Sequence, residues 1–144
     1  MSASETPDPS PVHFEGSVPI LRVRDLESSL DHYGRVLGFT VDWHEPGVMA
    51  SVSRGRAGLM LCHGDQGNPG TWVWIGVSDA AALFAEYAGS GATIRMTPRN
   101  FPWAYEMHVE DPDRHVLRFG SEPLADQPFD AWPQTDPDPG EWHQ

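Results

Sequence analysis

The sequence predicts an α+β fold in which two βαβββ modules form a curved mixed sheet around a cup. The first observation is an internal repeat: at an offset of 54 residues, "VRDLESSLDHYGRVLGF" from Val23 matches "VSDAAALFAEYAGSGAT" from Val77. The second is that each copy places an Asp between a strand and an apolar-periodic segment. The third is that three short segments with strand patterns follow each helix.

Each copy begins with a strand, continues through an N-cap and becomes an amphipathic helix of about three turns. Asp25 and Asp79 stand at the cap positions, where an Asp side chain accepts hydrogen bonds from the first helical turn. Glycines are expected to close the helices because they adopt the left-handed conformation at low cost. They are Gly34 and Gly38 in the first copy, and Gly89 and Gly91 in the second.

Three strands are predicted after each helix. Those after the first are "FTVDWHE", "VMASVSR" and "AGLMLCH", with turns at Pro46–Gly47 and Gly55. Those after the second are "ATIRM", "YEMHVE" and "HVLRFG", the last two joined by a turn at "DPDR". The modules therefore cover residues 15–64 and 70–121, within one domain of residues 15–121.

The two ends of the chain are rich in Pro, Asp and Ser. This composition predicts an extended N-terminal arm over residues 1–14 and an acidic, Pro-rich tail over residues 122–144. The ends hold most of the acidity, because the net charge is −12 for the chain and −3 for residues 17–121. Aromatic residues indicate that the tail can dock on the body or on a second subunit; they are Phe129, Trp132 and Trp142.

Composition also excludes several classes of partner. An acidic chain is a poor ligand for nucleic acid and favours a cationic small molecule. No stretch approaches the roughly 18 apolar residues of a membrane span, and the N-terminus lacks the pattern of a signal peptide. The single cysteine, Cys62, provides no disulfide framework, so a cytoplasmic location is expected.

Strand alternation separates core from cup in the segment "TWVWIGV". Val73, Ile75 and Val77 are predicted to pack under the helix, which turns Trp72 and Trp74 toward the cup. An alternative is that the tryptophans cap a closed core or fill a dimer interface.

The same alternation places Glu106, His108 and Arg118 on the cup face of two later strands. Together they can form a polar anchor for a ligand, an acid–base pair or a mutually satisfied salt-bridge cluster. Cys62 and His63 point to opposite faces of a strand and so form no nucleophile–base pair. The other histidines have no evident partner; they are His13, His32, His44, His115 and His143.

"VPILRVRDLESSLDHYGRVLGF" and "DPDRHVLRF" resemble two segments of the vicinal oxygen chelate superfamily, which includes glyoxalase I, extradiol dioxygenases and bleomycin-resistance proteins. The resemblance covers residues 17–121. It implies that the positions at which the metal enzymes of this superfamily hold their ion are Val18, Met60, Trp72 and Arg118. None of these is a carboxylate, imidazole or thiolate, so neither a metal nor another cofactor is expected.

The bleomycin-resistance branch, whose members bind a drug without metal and do no chemistry on it, fits these residues better. "TWVWIGV" and "FPWAYEMHVEDPD" resemble its ligand-lining segments, the latter with Trp103, and "FTVDW" places Asp42 and Trp43 at another lining position. The resemblance also implies a homodimer with two clefts at the subunit interface, formed by exchanging an N-terminal strand about Pro19.

The resulting prediction is a metal-free homodimer that sequesters an aromatic, cationic antibiotic of the bleomycin type and so confers resistance. Tryptophans would stack on the ligand, while Asp42, Glu45 or Glu106 would meet its positive groups. The candidate ligand-binding residues are Asp42, Trp43, Met60, Cys62, Trp72, Trp74, Trp103, Glu106, His108 and Arg118. The alternatives are an enzyme of glyoxalase or dioxygenase type and a non-catalytic carrier in a biosynthetic pathway.

Overall fold

The computed structural model of the chain describes residue 12 and residues 15–133. The predicted N-terminal arm, apart from residue 12, and the end of the tail from residue 134, with Trp142, lie outside these residues. The helices are α1 (Leu26–Asp31), which continues as a π-helical segment (His32–Val36), and α2 (Ala80–Ser90). The strands are β1 (Ile20–Arg22), β2 (Thr40–Glu45), β3 (Met49–Arg54), β4 (Ala57–Cys62), β5 (Trp72–Gly76), β6 (Thr93–Asn100), β7 (Tyr105–Glu110) and β8 (Val116–Ser121). Within the described residues, no helix is long and apolar enough to cross a membrane.

The strands form two four-stranded sheets, ordered β1-β4-β3-β2 and β5-β8-β7-β6. In each sheet the first strand of a module pairs parallel with its fourth, while the other neighbours are antiparallel. The identical order confirms the duplicated βαβββ modules and the α+β class. Each module forms its own four-stranded mixed sheet, because in the described chain β1 and β5 pair with strands of their own modules.

Both predicted N-caps are confirmed. The side chain of Asp25 accepts from the N–H of Ser28 at 3.3 Å, and that of Asp79 accepts from the N–H of Ala82 at 3.0 Å. Gly38 and Gly91 adopt positive φ angles after their helices, as a helix-ending glycine does.

Two of the four glycines do not end a helix as expected. Gly34 lies inside the π-helical segment and Gly89 inside α2, so each helix runs past its first glycine. A glycine inside a helix is tolerated at a modest cost, and packing against the sheets outweighs that cost here.

Strand β6 is longer than the segment "ATIRM" predicted, since it continues to Asn100. Its pairing with β7 shifts register between Ile94 and Met96 and again between Met96 and Arg99. Pro98 lies in the second irregularity, where its missing N–H removes a hydrogen bond from the ladder. The extension matters for the site because it carries the strand to Asn100.

One core joins the two modules, and two equivalent tyrosines of the repeat bridge them in opposite directions. Tyr33 of the first module donates to the carboxylate of Asp111 in the second at 3.0 Å. Tyr87 of the second donates to the carbonyl of Leu37 in the first at 2.8 Å. Burial raises the pKa of Tyr33 well above its usual range and that of Tyr87 to about 12, so both phenols stay protonated donors.

His115, for which the sequence showed no partner, is a third bridge. It is fully buried, accepts from the backbone N–H of Thr71 through Nδ1 at 3.0 Å, and contacts the carbonyl of Arg22 through Nε2 at 2.6 Å. A backbone N–H can only donate and a carbonyl can only accept, so the proton is on Nε2. This bond fixes the position of Arg22 relative to the second sheet.

Candidate functional site

The cup face of the second sheet begins with the two tryptophans of β5. Ile75 is buried, while Val73 and Val77 pack against the core, as alternation predicted. Trp74 lies on the opposite face and is 48% exposed. Its indole lies over Gly120 of β8, and a Cβ at Gly120 would contact the ring, with two ring carbons at 2.8 and 3.0 Å. Glycine at position 120 therefore makes room for this tryptophan.

Glu106 of β7 is fully buried on the same face and accepts hydrogen bonds from three side chains. The donors are Trp103 Nε1 at 2.6 Å, His108 Nε2 at 2.7 Å, and Arg118 through Nε at 2.9 Å and Nη2 at 3.2 Å. Burial alone would raise the pKa of Glu106, but these hydrogen bonds hold it below its usual value. Of the three arrangements that the sequence left open, the geometry is that of a mutually satisfied cluster.

His108 is also buried, and burial lowers its pKa more than Glu106 raises it. The carboxylate can only accept, so the His108 proton lies on Nε2. With its Nε2 proton bound to Glu106, and both Glu106 oxygens occupied by other donors, this pair holds its neighbours in place. It has no free carboxylate oxygen with which to take a proton from a ligand.

The second aromatic wall of this face comes from the tail, whose aromatic residues were expected to dock on the body or on a second subunit and which here docks on the body. Asn100, buried at the end of β6, binds this segment with its side-chain amide. Its Oδ1 accepts from the N–H of Leu124 at 2.8 Å, and its Nδ2 lies within 3.3 Å of three tail carbonyls. The backbone N–H of Asn100 donates to the carboxylate of Asp130 at 2.8 Å, and its carbonyl accepts from the N–H of Asp130 at 2.7 Å.

This anchoring places Trp132 against the Glu106 cluster. Its ring centroid lies 5.1 Å from that of Phe101, 5.7 Å from that of Trp103 and 5.7 Å from that of His108. The Arg118 guanidinium is 5.2 Å from the Trp132 ring and 5.3 Å from the Trp74 ring, so it lies between two tryptophans. Trp103 and Trp132 remain 53% and 40% exposed. We call Trp74, Trp103 and Trp132, with Arg118, the aromatic face.

Trp72 lies at the other end of the same sheet and is half-buried. Its ring meets His108 edge-on at 5.4 Å between centroids, and the Arg95 guanidinium lies 5.2 Å from its ring centroid. Arg95 in turn donates to Glu110 at 2.8 Å. Trp72 therefore borders the aromatic face through His108 and is itself covered in part by Arg95.

The first sheet carries the remaining predicted residues. Trp43 of β2 pairs with Ser51, and a bulge between Val41 and Trp43 leaves Asp42 as the extra residue. The carboxylate of Asp42 accepts from the hydroxyls of Ser51 at 3.3 Å and Ser53 at 2.8 Å, so Asp42 and Trp43 share a face. Both side chains are exposed.

Met60 and Cys62 of β4 lie on that same face. Met60 pairs with Ser51 across β3, and Cys62 pairs with Met49, which places all four on one side of the sheet. Cys62 is buried, whereas Met60 is partly accessible. The structure thus divides the predicted residues into two groups, one on each sheet, and within the described residues Trp43 makes no ring contact with the aromatic face.

Pro19 directly precedes β1, and its carbonyl accepts from the N–H of Met60 at 3.0 Å. In the single chain β1 therefore pairs with its own β4, and exchange about Pro19 stays a prediction. Among the described residues, no group of three or more His, Cys, Asp or Glu side chains could hold a metal ion. The four positions that the resemblance assigns to metal ligands offer at most the thioether of Met60, which does not fit a divalent ion of that kind.

Comparison with known proteins matches residues 10–119 to a family described as "Glyoxalase/Bleomycin resistance protein/Dioxygenase superfamily". The solved structure of the bleomycin-binding protein from bleomycin-producing Streptomyces verticillus, complexed with copper(II)-bleomycin, is 29% identical, with a TM-score of 0.66 over 76% of this chain and 98% of that chain. The antibiotic binding protein TnmS3 from Streptomyces sp. CB03234 is 23% identical, with a TM-score of 0.62 over 78% of this chain and all (100%) of that chain. The bleomycin resistance determinant encoded on transposon Tn5 is 21% identical, with a TM-score of 0.66 over 77% and 100% of the two chains. The curated proteins gave no match.

Proposed function

Since the chain belongs to the glyoxalase/bleomycin resistance protein/dioxygenase superfamily, we propose that it binds and sequesters an aromatic, cationic antibiotic of the bleomycin type, without metal. The observation that carries the proposal is the aromatic face. Three partly exposed tryptophans lie over the second sheet. Arg118 lies against the rings of Trp74 and Trp132, and Glu106 accepts a hydrogen bond from Trp103, so these two polar side chains hold the rings in fixed orientations. Such a rigid apolar surface with few polar groups suits stacking on planar heterocycles.

Trp132 is part of this proposed ligand surface although it lies beyond residue 119, where the family match ends. Trp103 is stacked on Phe101 at 5.0 Å and 12°, so one of its faces is already occupied. The contact between Trp103 and Trp132 leaves no gap for a ring between them. We therefore place the ligand over the outer surfaces of Trp74, Trp103 and Trp132.

The positive groups of the ligand would meet the first sheet. Asp42 and Glu45 of β2 are exposed carboxylates, whereas Glu106 is buried and bonded to three side chains. We therefore assign the anionic contacts to Asp42 and Glu45, and we assign Glu106 to holding the aromatic face. Trp43, Met60 and Cys62 would line the same sheet, and Trp72 would border the opposite one.

A dimer would bring these two sheets together. In the single chain the two groups of residues lie on separate sheets, and β2, an edge strand exposed along its length, carries the first group. An edge strand with free hydrogen-bonding groups favours association with another chain. We propose a homodimer in which the first sheet of one subunit faces the aromatic face of the other.

Tryptophan fluorescence titrated with metal-free bleomycin tests the proposal. We expect saturable quenching and an affinity about tenfold lower in Trp132→Ala, because a stacking contact contributes on the order of 1.4 kcal/mol. Phe129→Ala is the matched control, since Phe129 is an exposed aromatic residue of the same tail. Quenching that does not saturate, or equal affinities in both variants, would contradict binding at the aromatic face.

A carrier within a biosynthetic pathway would use the same surface, and the titration with other planar antibiotics would identify its ligand. An enzyme of glyoxalase or dioxygenase type is disfavoured by the residues at the metal-ligand positions. Stoichiometric nickel, zinc or iron retained by the purified protein would favour the enzyme.

A further inference from the structure

We propose that a pocket lined by arginines at the end of the second sheet binds an oxyanion, namely the phosphate, sulfate or carboxylate group of a small aromatic molecule. The pocket has a volume of about 310 Å³, at the lower end of the range for small-molecule sites. Its residues come from both modules and from the segment between them: Arg22, Val23, Arg24, Pro69, Gly70, Trp72, Arg95, Asp113, Arg114 and Val116. The proposal is independent of the aromatic face.

The first argument is charge. All nine basic residues of the chain are arginines, and four of them line this one pocket in a protein of net charge −12. Asp113 is the single acidic residue of the lining. A second carboxylate, that of Glu110, contacts the lining through its bond to Arg95. The arginines outnumber these two carboxylates, so the pocket is a local positive site on an acidic molecule.

The second argument is the supply of free donors. The Nε of Arg22 is buried and has no hydrogen-bond partner within the described residues, while its Nη2 donates to the carbonyl of Asp65 at 3.3 Å. A buried donor without an acceptor costs about 1–3 kcal/mol, so an acceptor in the pocket would remove that cost. The guanidinium of Arg114 has no hydrogen bond or ion pair to any described residue; only its backbone N–H is bonded, to the carbonyl of Asp111 at 3.0 Å.

The other two arginines are held in place by protein groups and still present unused N–H groups. Arg24 donates from Nε to Asp113 at 2.9 Å and from Nη2 to the carbonyl of Pro112 at 3.0 Å, which leaves Nη1. Arg95 donates from Nη1 to Glu110 at 2.8 Å. Oriented guanidinium groups of this kind bind oxyanions well, because little side-chain freedom is lost on binding.

The third argument is backbone strain at Arg114. It has a φ of 68° and is the one non-glycine residue with positive φ in the described chain. An Arg in this conformation costs on the order of 1 kcal/mol relative to Gly. The turn after β7 would be more stable with Gly at this position, so the folded structure does not account for the side chain. A role in the pocket does.

Trp72 defines the rest of the ligand. It forms an apolar wall of the pocket, with Arg95 over its ring. An aromatic ring attached to the oxyanion would contact this wall, whereas an inorganic ion would contact the arginines alone. The chemical class is therefore an aromatic phosphate, sulfate or carboxylate.

Isothermal titration calorimetry with phenyl phosphate, inorganic phosphate and phenol, at constant ionic strength, tests this site in the full chain. We expect saturable binding of phenyl phosphate, weaker binding of inorganic phosphate and none of phenol. The variants are Arg114→Gly, which relieves the strained backbone, and Arg22→Gln. Each is expected to lower the affinity for phenyl phosphate at least fivefold, and Arg114→Gly is expected to be at least as stable as the parent chain.

Arg56→Gln is the matched control, because Arg56 is exposed in the turn between β3 and β4 and the substitution removes the same charge. Its affinity for phenyl phosphate should equal that of the parent. Absence of saturable phenyl phosphate binding, equal losses in Arg56→Gln and Arg114→Gly, or equal binding of phenol would each overturn the proposal. The Trp132→Ala titration with bleomycin does not depend on any of these arginines, so failure of one proposal is distinct from failure of the other.

Discussion

Glu106 and Arg118 form a two-point ion pair beneath Trp132, with Nε to Oε2 at 2.9 Å and Nη2 to Oε1 at 3.2 Å. Arg118 pairs with His108 across β7 and β8, so the pair and the histidine sit on adjacent strands of one face. Glu106 therefore holds two tryptophans in position. It binds Trp103 directly, and it orients Arg118, which lies against Trp132.

Glu106→Gln should destabilise the protein by about 3 kcal/mol, because breaking a buried ion pair leaves the partner charge without compensation. Urea denaturation followed by circular dichroism measures the change. The control is Glu110→Gln on the same strand, whose carboxylate is partly exposed and paired with Arg95; it should cost less than about 1 kcal/mol. Equal losses of stability in the two variants would show that the buried ion pair contributes no more than the exposed one.

Stability should fall as the pH drops from 7.5 to 5. Burial lowers the pKa of His108 below its ordinary 6.5, so the unfolded chain binds a proton more readily than the folded one in this range. His32 acts in the same direction because burial and Arg35 lower its pKa. The depressed pKa of Glu106 adds a further loss only below its ordinary 4.5, whereas Asp111, whose pKa is raised by burial, opposes that loss.

The variant His108→Gln tests the assignment of this pH dependence. Thermal unfolding measured at intervals from pH 7.5 to 5 should show a shallower decline in the variant, with the remainder due to His32. If the variant lost stability with falling pH as steeply as the parent, groups other than His108 would cause the pH dependence.

Gly120→Ala should displace Trp74, since the added methyl group would collide with the indole. We expect a loss of about 1–3 kcal/mol from overpacking and a changed Trp74 fluorescence. Gly76→Ala is the control on the neighbouring strand, because the nearest atom to its Cβ, Trp74 Nε1, lies 3.9 Å away in ordinary contact. Equal effects of the two substitutions would mean that the Trp74 ring has another position available.

Asn100→Ala should release the tail segment that holds Trp132. Removal of the amide leaves the N–H and carbonyl of Leu124 and the carbonyls of Gln127 and Pro128 without their partner, at a cost of about 1–3 kcal/mol. A red-shifted tryptophan emission and faster proteolysis after residue 122 would report the release. Gln127→Ala leaves the backbone carbonyl in place and should change neither, so an equal shift in that variant would contradict the role of the Asn100 amide.

Local rules in the sequence were sufficient for much of the fold. Strand alternation placed Ile75 in the core and Trp74 opposite, and the repeat located both N-caps, because these features depend on residues within a few positions of one another. The alternation of β7 likewise put Glu106 and His108 on one face. Strand alternation does not indicate whether another segment of the chain covers that face.

The covering of that face depends on contacts distant in the chain. Trp132 reaches it because Asn100, a polar residue at the end of a strand, binds a segment more than twenty residues later. Nothing in the spacing of either residue signals the other. The aromatic residues of the tail predicted docking on the body or on a second subunit, but they did not indicate which face of the body the tail would cover. The arginine pocket was missed for the same reason, since Arg22 and Arg114 meet only when the modules pack.

The hydroxyls of Tyr33 and Tyr87 each donate to an acceptor in the opposite module, so each half of the molecule completes the hydrogen bonding of the other. Neither half contains the acceptor for its own tyrosine, because Asp111 and Leu37 belong to the opposite module. A half produced alone would bury a phenol with no acceptor or leave it in water, so the duplicated units are complementary fragments and not independent folding units.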